Sequence, residues 1–202
     1  MARGTTESTP TRVARGTRAA ETAERKRRLL AAATELAAEG GYDAVQMRDV
    51  ASRAGVALGT LYRHYSSKDQ LLVAALDAQA ATLRDRIAQR PPAGDTPAIR
   101  VANVLRRACR ALERQPRVTA AMMTAMSAGD ETTTPTKREV DATLKAIIEH
   151  AIAANGDVDD LDGVVRVLGH VWFATLSYWV NGLATPDEMA ADLERTAHLL
   201  LD

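Results

Sequence analysis

Between Arg48 and Lys68 the chain gathers six side chains suited to binding an anion or a base edge: Arg48, Thr60, Tyr62, Arg63, His64 and Lys68. Arginine can pair bidentately with guanine, and threonine can touch a thymine methyl. Tyrosine, histidine and lysine can bond phosphate oxygens. That chemistry is recognition rather than bond making. Groups suited to catalysis are scattered. His150, His170 and His198 have no partners at metal-ligand spacing, and no His-Glu or Cys-Cys pattern of metal type occurs. Cys109, the single cysteine, has no evident base beside it and sits on an apolar helical face. No glycine-rich phosphate loop is present. His170 lies in a strongly apolar run and reads as a core histidine or a polar group in a pocket. Neither an enzyme nor a metal or cofactor site is expected.

The elements that must position the six side chains lie between Tyr42 and Leu76. Met47 to Arg53 reads as a short helix with Val50 and Ala51 inward. Gly55 breaks it, as glycine does where the backbone needs a positive φ. Leu58 to Tyr65 forms a second short helix held to the core by Leu61. Ser67 caps a third, with Gln70 completing a capping box. Two helices joined by a short Gly-containing turn form the helix-turn-helix pattern, whose second helix normally enters the DNA major groove. A Gly-broken helix pair also occurs in plain helical bundles, with Tyr62 and His64 as ordinary surface residues. Spacing alone leaves both readings open.

The strings GY at 41–42, RDVA at 48–51, GV at 55–56 and TLYRHYSSKDQLL at 60–72 carry a resemblance. This stretch of about 45 residues resembles the amino-terminal domain of TetR-family transcriptional repressors. The resemblance implies base contacts from Arg48, Thr60 and Arg63, and phosphate contacts from Tyr62, His64 and Lys68. One feature departs from it: Val45 and Gln46 stand where many members have Ser or Thr, and Gln is a poorer N-cap.

Composition agrees with a helical protein. Apolar residues make up 46% of 202, enough for a substantial core, while aromatics are only 3%, which favours helix over sheet. One cysteine excludes an internal disulfide and points to a reducing compartment. No run approaches the roughly 18 apolar residues of a membrane span. With no apolar signal core at the amino terminus, a cytoplasmic protein is expected. Net charge is zero, which argues against a nucleic-acid partner until the chain is divided. Residues 1–68 carry 12 Lys and Arg against 7 Asp and Glu, a net +5; residues 69–202 carry 14 against 19, a net −5. A basic half facing DNA and an acidic half held away from phosphates fit that asymmetry.

Residues 1–20 read as a disordered basic arm in which Arg3, Arg12, Arg15 and Arg18 either reach DNA or make no specific contact. A helix follows over Glu21–Glu39, with the basic run Arg25–Arg28 near its start, and Gly40-Gly41 stops it. The DNA-binding domain is thus 21–67. An effector-binding and dimerisation domain, 68–202, begins with a long helix over Lys68–Gln89 that belongs to both halves. Thr96-Pro97 starts another helix. Val118–Met126 is a Met-rich helical run, Gly129–Thr136 a polar loop, and Val140–Ala154 a helix closed by Asn155-Gly156. An acidic connector, Asp157–Asp162, comes next. Val164–Val180 is apolar nearly all round, so it should be buried all round, most easily by a second subunit. Thr185-Pro186-Asp187-Glu188 starts the last helix. Trp179 and Leu193 are the candidates for a homodimer seam. Leu105, Cys109, Met122, Met126, Leu144, Trp172 and Leu176 are the candidates for an apolar effector pocket, although spacing alone fits an ordinary Met-containing core as well.

The expected architecture is therefore all-α: an amino-terminal three-helix helix-turn-helix domain and a carboxy-terminal helical bundle for effector binding and dimerisation. Three blocks, 40–65, 113–130 and 171–185, further resemble the actinobacterial TetR-type repressors of cholesterol and steroid catabolism. That resemblance implies palindromic operator DNA bound as a dimer and released by a coenzyme A thioester of a steroid intermediate. The alternatives are a TetR-like regulator of fatty-acid metabolism or efflux with another hydrophobic ligand, and an architectural DNA-binding protein with no effector.

Overall fold

The computed structural model describes residues 11–153 and 158–202, with side chains from residue 19 onward. Every regular element among them is helical: α1 (Thr11–Ala44), α2 (Met47–Arg53), α3 (Leu58–Tyr62), α4 (Lys68–Gln89), α5 (Pro97–Glu113), α6 (Pro116–Ser127), α7 (Thr134–Ile152), α8 (Leu161–Val180) and α9 (Pro186–Leu201), with one 3₁₀ turn at Glu131–Thr133. The chain is all-α, as its composition implies. None of these helices is long and apolar enough to cross a membrane.

Several boundaries differ from the sequence reading. α1 begins at Thr11, so residues 11–20 continue a helix rather than forming an irregular arm. Alanine and arginine, both strong helix formers, dominate that stretch. Arg3 and the side chains of Arg12, Arg15 and Arg18 lie outside the described residues. The regular part of α1 ends at Gly40 and Gly41, and Gly41 has φ +71°. α3 stops at Tyr62, so Arg63, His64 and Tyr65 form its exit. α7 starts at Thr134, inside the stretch read as a polar loop. Pro135 explains this, because its fixed φ suits the first helical turn. The expected close of α7 at Asn155-Gly156 and the start of the acidic connector at Asp157 lie outside the described residues.

The caps follow local chemistry. Ser67, Thr96 and Thr185 each accept from the amide three residues on, and Thr185 with Glu188 forms a complete capping box. At Ser67 the reciprocal arm is displaced: the Gln70 side chain accepts from the Ser66 amide. The carboxyl end of α7 is capped from another helix. Arg100 on α5, 2% exposed, donates to Ala151 O at 2.8 Å, Ile152 O at 2.9 Å and Gly94 O at 3.2 Å. The two α7 carbonyls have no partner within that helix, and a cation there also complements the helix dipole.

The apolar core is two clusters. One holds Leu29, Ala33, Val50, Leu61, Leu71 and Leu72 from α1–α4, together with Val118, Met122 and Ala125 of α6 and Val140 of α7. The other holds Leu105, Cys109, Met123, Ile147, Ile148, Leu168, Leu176, Met189 and Leu193. The core therefore does not divide at residue 67: α6 completes the floor beneath the helix-turn-helix. α4, about 33 Å long by its residue count, has Leu71, Leu72 and Val73 in the first cluster and Ile87 in the second. Thr143 of α7 donates to Asp77 of α4 at 2.9 Å between the two.

Candidate nucleic-acid interface and effector bundle

α2, α3 and the exit of α3 carry five of the six side chains expected to meet DNA. The Ala54 amide bonds back to Val50 O, and Gly55 takes φ +65°, turning the chain so that Val56 N reaches Ala51 O at 3.0 Å. A residue with a Cβ would be strained at that φ. Leu61, with no exposed area, holds α3 down. The opposite side of α3 carries Tyr62, 51% exposed, and the half-buried Thr60. Arg63, at the end of α3, is exposed and donates to Thr60 Oγ1 at 3.0 Å, so these two expected base-contact residues act as a unit. Arg48 stands exposed in the first turn of α2. Gln46 makes no cap bond with its side chain, as its residue type implies; it donates instead to Asp43 O.

Lys68 differs from the other five. Its ammonium lies 3.7 Å from the centre of the Tyr42 ring and donates to Tyr42 O at 3.3 Å. Tyr42 in turn donates to Asp69 at 2.6 Å. Burial and that carboxylate push the Tyr42 phenol up to about 12. The cation is thus held against the domain before any partner arrives, which orients it and uses part of its hydrogen-bonding capacity.

The cations around α3 are sorted by their neighbours. Arg53 forms a two-pronged pair with Glu39 at 2.5 and 3.1 Å, which holds Glu39 below the usual carboxylate range. Arg28 reaches from α1 to Ala54 O at 3.0 Å and caps the end of α2. His64 is held below its ordinary pKa, first by burial and then by Lys26, Arg63 and Arg25. Sequence order hides this proximity, because Lys26 and His64 belong to different elements.

Two further contacts leave no mark in the sequence. Arg117 of α6 donates to Glu39 O at 2.8 Å, capping the regular end of α1. The turn before α7 touches the exit of α3: Ser67 Oγ lies 3.5 Å from Asp130 Oδ2, and Ser66 Oγ 3.4 Å from Thr132 Oγ1. Asp130 also accepts from the Thr132 amide at 2.9 Å and hydroxyl at 2.7 Å, and these bonds keep its carboxyl acidic. No regular pattern links positions so far apart in the chain.

Residues 29–75 match the profile of the bacterial regulatory proteins of the tetR family, and residues 94–200 match the tetracyclin repressor-like C-terminal domain. The chain belongs to the TetR family. Among its relatives, the HTH-type transcriptional repressor KstR of Rhodococcus jostii (strain RHA1) is 37% identical over 178 residues, covering 88% of this chain and 83% of that protein. KstR of Mycobacterium tuberculosis is 34% identical over 178 residues, covering 88% and 81%. The crystal structure of a TetR transcriptional regulator from Rhodococcus sp. RHA1 has a TM-score of 0.82 at 34% identity, covering 90% of this chain and 97% of that one. All three likenesses span both halves.

Within the TetR-family bundle, the expected ligand residues are divided between the two apolar clusters. Met122 and Met126, four residues apart, share a face that packs under the DNA-binding half. Met123, about 100° further round the helix, faces the carboxy-terminal cluster instead. Leu105, Cys109 and Leu176 are buried in that second cluster, Trp172 packs against it, and Leu144 touches both. Burial raises the Cys109 thiol to about 11, as for a core residue. An open recess of about 300 Å³ between α7 and α8 is lined by Lys145, Glu149, Asp162, Val165 and Arg166. Its one apolar wall, Val165, belongs to the second cluster.

The seam also needs correcting. Leu193 has no exposed area and lies in the monomer's own core, while Trp179 is half-buried against the same cluster. α8 is buried on one side by the monomer's own helices and leaves the other side outward. Val167, Phe173 and Tyr178 are 40%, 40% and 58% exposed, and His170 is exposed rather than buried. Val167, Ala174 and Tyr178, at i, i+7 and i+11, form one outward stripe. The nearly continuous apolar pattern of α8 is therefore two faces, one inward and one outward. Among the described residues no group of His, Cys, Asp and Glu is arranged to hold a metal ion.

Proposed function

We propose that this protein is a homodimeric transcriptional repressor that binds operator DNA and is released by a hydrophobic coenzyme A thioester. The observation that carries the reading is the 37% identity to KstR over 88% of the chain, because it extends through the carboxy-terminal bundle. Arg48, Thr60 and Arg63 read base edges. Tyr62, His64 and Lys68 hold phosphates. One α3 of five residues offers too little contact for a tight specific complex. Two of them, about 34 Å apart on a two-fold dimer, match successive major grooves. The exposed stripe of α8, with Phe173 beside it and Leu199 of α9 at 78% exposure, supplies the apolar surface for that dimer.

The effector enters the cluster around Leu105, Cys109, Met123, Trp172 and Leu176. A steroid-derived thioester is the first choice, and a fatty acyl thioester the second. Release requires that the effector prefer the conformation with low DNA affinity. α4 and α6 carry the change, since each has side chains in both clusters. α6 does so through adjacent methionines: moving Met123 moves Met122 beneath the helix-turn-helix.

A pair of titrations tests this reading: operator affinity with and without a steroid-CoA thioester, and thioester affinity with and without operator. The upstream region of the protein's own gene serves as the operator fragment. Both affinities should fall by the same factor, because coupling between two sites is reciprocal. A thioester that binds tightly yet leaves operator affinity unchanged would refute the release mechanism. Binding of lauroyl-CoA but of no steroid thioester would favour the fatty acyl reading.

A further inference from the structure

The basic run at the start of α1 does not act as one patch. Arg28 is used inside the domain, on Ala54 O. Arg27 pairs with Glu24 one turn earlier. Among the described residues no carboxylate meets Arg25 or Lys26. The turn of α1 that carries them lies against the recognition motif, since Leu29 packs in one cluster with Leu61 of α3 and the neighbouring Arg28 bonds Ala54 O at 3.0 Å. From there both act on the His64 ring in the same sense as Arg63. Four basic groups from two separate elements thus converge with no anion among them.

Like charges brought together this way repel, and the backbone that carries them is anchored. Leu29, Ala32 and Ala33 are buried one turn beyond, in the same cluster as Leu61 of α3. The Arg28 bond ties the same turn of α1 to the joint between α2 and α3. Three cations with no carboxylate against them among the described residues, beside a histidine that an anion would help to protonate, make a site prepared for an anion. Its place beside Tyr62 and Thr60 makes a strand of linked phosphates the fitting partner, since successive phosphates could meet cations on both elements. The +5 balance of residues 1–68 is consistent with that.

We infer that Arg25 and Lys26, with His64 and Arg63, clamp the phosphodiester backbone of duplex DNA beside the bases read by α3. This rests on the DNA-binding reading above. It adds a second element to the contact, so that each half-site is gripped from α1 as well as from the recognition helix. Arg27 and Arg28 take no part.

The test uses the full chain and a labelled duplex of random sequence, so neither operator nor effector need be known. Affinity is measured by fluorescence anisotropy across a salt series for the wild type, for Arg25→Gln with Lys26→Gln, and for Arg27→Gln. Loss of two phosphate contacts lowers the slope of log affinity against log salt by about 1.8 per chain. The affinity lost between about 50 and about 200 mM salt then shrinks roughly 12-fold per chain. Arg27→Gln leaves the slope unchanged. Lys26→Arg with Arg25→Lys restores it, which separates charge from folding. If the wild type binds no duplex, the DNA-binding reading fails. If it binds and the double variant keeps the wild-type slope, the clamp alone is overturned. A parallel arm follows the His64 ring by NMR with duplex and with inorganic phosphate at equal phosphate concentration. A duplex response much the larger supports the clamp. An equal response to inorganic phosphate would make this a small-anion site and overturn it.

Discussion

Arg28→Met tests whether α1 locks the helix-turn-helix joint. Arg28 Nη1 donates to Ala54 O at 3.0 Å, a charged donor on the last turn of α2. Methionine keeps a stem of similar length and a comparable helix propensity, so the substitution removes mainly that bond. Hydrogen bonds to charged groups contribute about 1.5–3 kcal/mol. The bond is only partly buried and the side chain is otherwise exposed, so the low end applies, about 1.5 kcal/mol. For a chain of this size that corresponds to a fall in Tm of about 3–6 °C. Urea unfolding should show the same loss as a lower midpoint with an unchanged m-value. Binding to random duplex should weaken while its salt slope stays as in the wild type, because this cation is spent on a carbonyl and not on DNA. An unchanged midpoint, or a slope that falls as in the Arg25 and Lys26 double variant, would refute the division of the basic run.

Phe173→Asp with Tyr178→Asp should give folded monomers by light scattering, whereas Leu193→Asp should unfold the bundle, since it places a charge in the monomer core. Arg100→Leu leaves three carbonyls without their donor and should lower stability in chemical denaturation by about 1–3 kcal/mol for each one left buried and unsatisfied. In the unbound protein burial, Lys26, Arg63 and Arg25 hold the His64 pKa down, and an adjacent DNA phosphate raises it. Proton uptake then accompanies binding, so duplex affinity should rise as pH falls toward and below about 6.5, and His64→Gln should remove that rise. The buried Cys109 thiol, with its pKa near 11, should resist a thiol reagent at pH 8 and react only on unfolding, as absorbance of the released chromophore would show.

Features set by short-range chemistry are legible in the residues themselves. Gly55 turns the chain where only a residue without Cβ avoids strain. Ser67, Thr96 and Thr185 cap the helices they precede, and α4 spans Lys68–Gln89 as its pattern predicts. The helix-turn-helix and its exposed side chains follow, because each depends on residues within a few positions of one another. Proline misleads in one place: Pro135 opens α7 in a stretch that reads as loop, since threonine and proline mark helix starts and turns alike.

What the sequence leaves open concerns faces and distant partners. The three methionines of α6 read as one group, but helical rotation sends Met122 and Met126 to one core and Met123 to the other. The apolar run of α8 reads as buried on every side, most easily with one side against a second subunit, and only the packing of the neighbouring helices decides which part the monomer leaves outward. Leu193 fits a seam by periodicity, yet its face is taken by the monomer's own core. Contacts between distant segments, such as Arg28 to Ala54, Arg100 to Ala151 and Asp130 to Ser67, leave no periodic trace. Sequence determined which elements form and which residues could touch DNA, because those depend on backbone preference and side-chain type. Tertiary structure decided which cations are already paired and which face of each helix is free, because those depend on what the fold brings alongside.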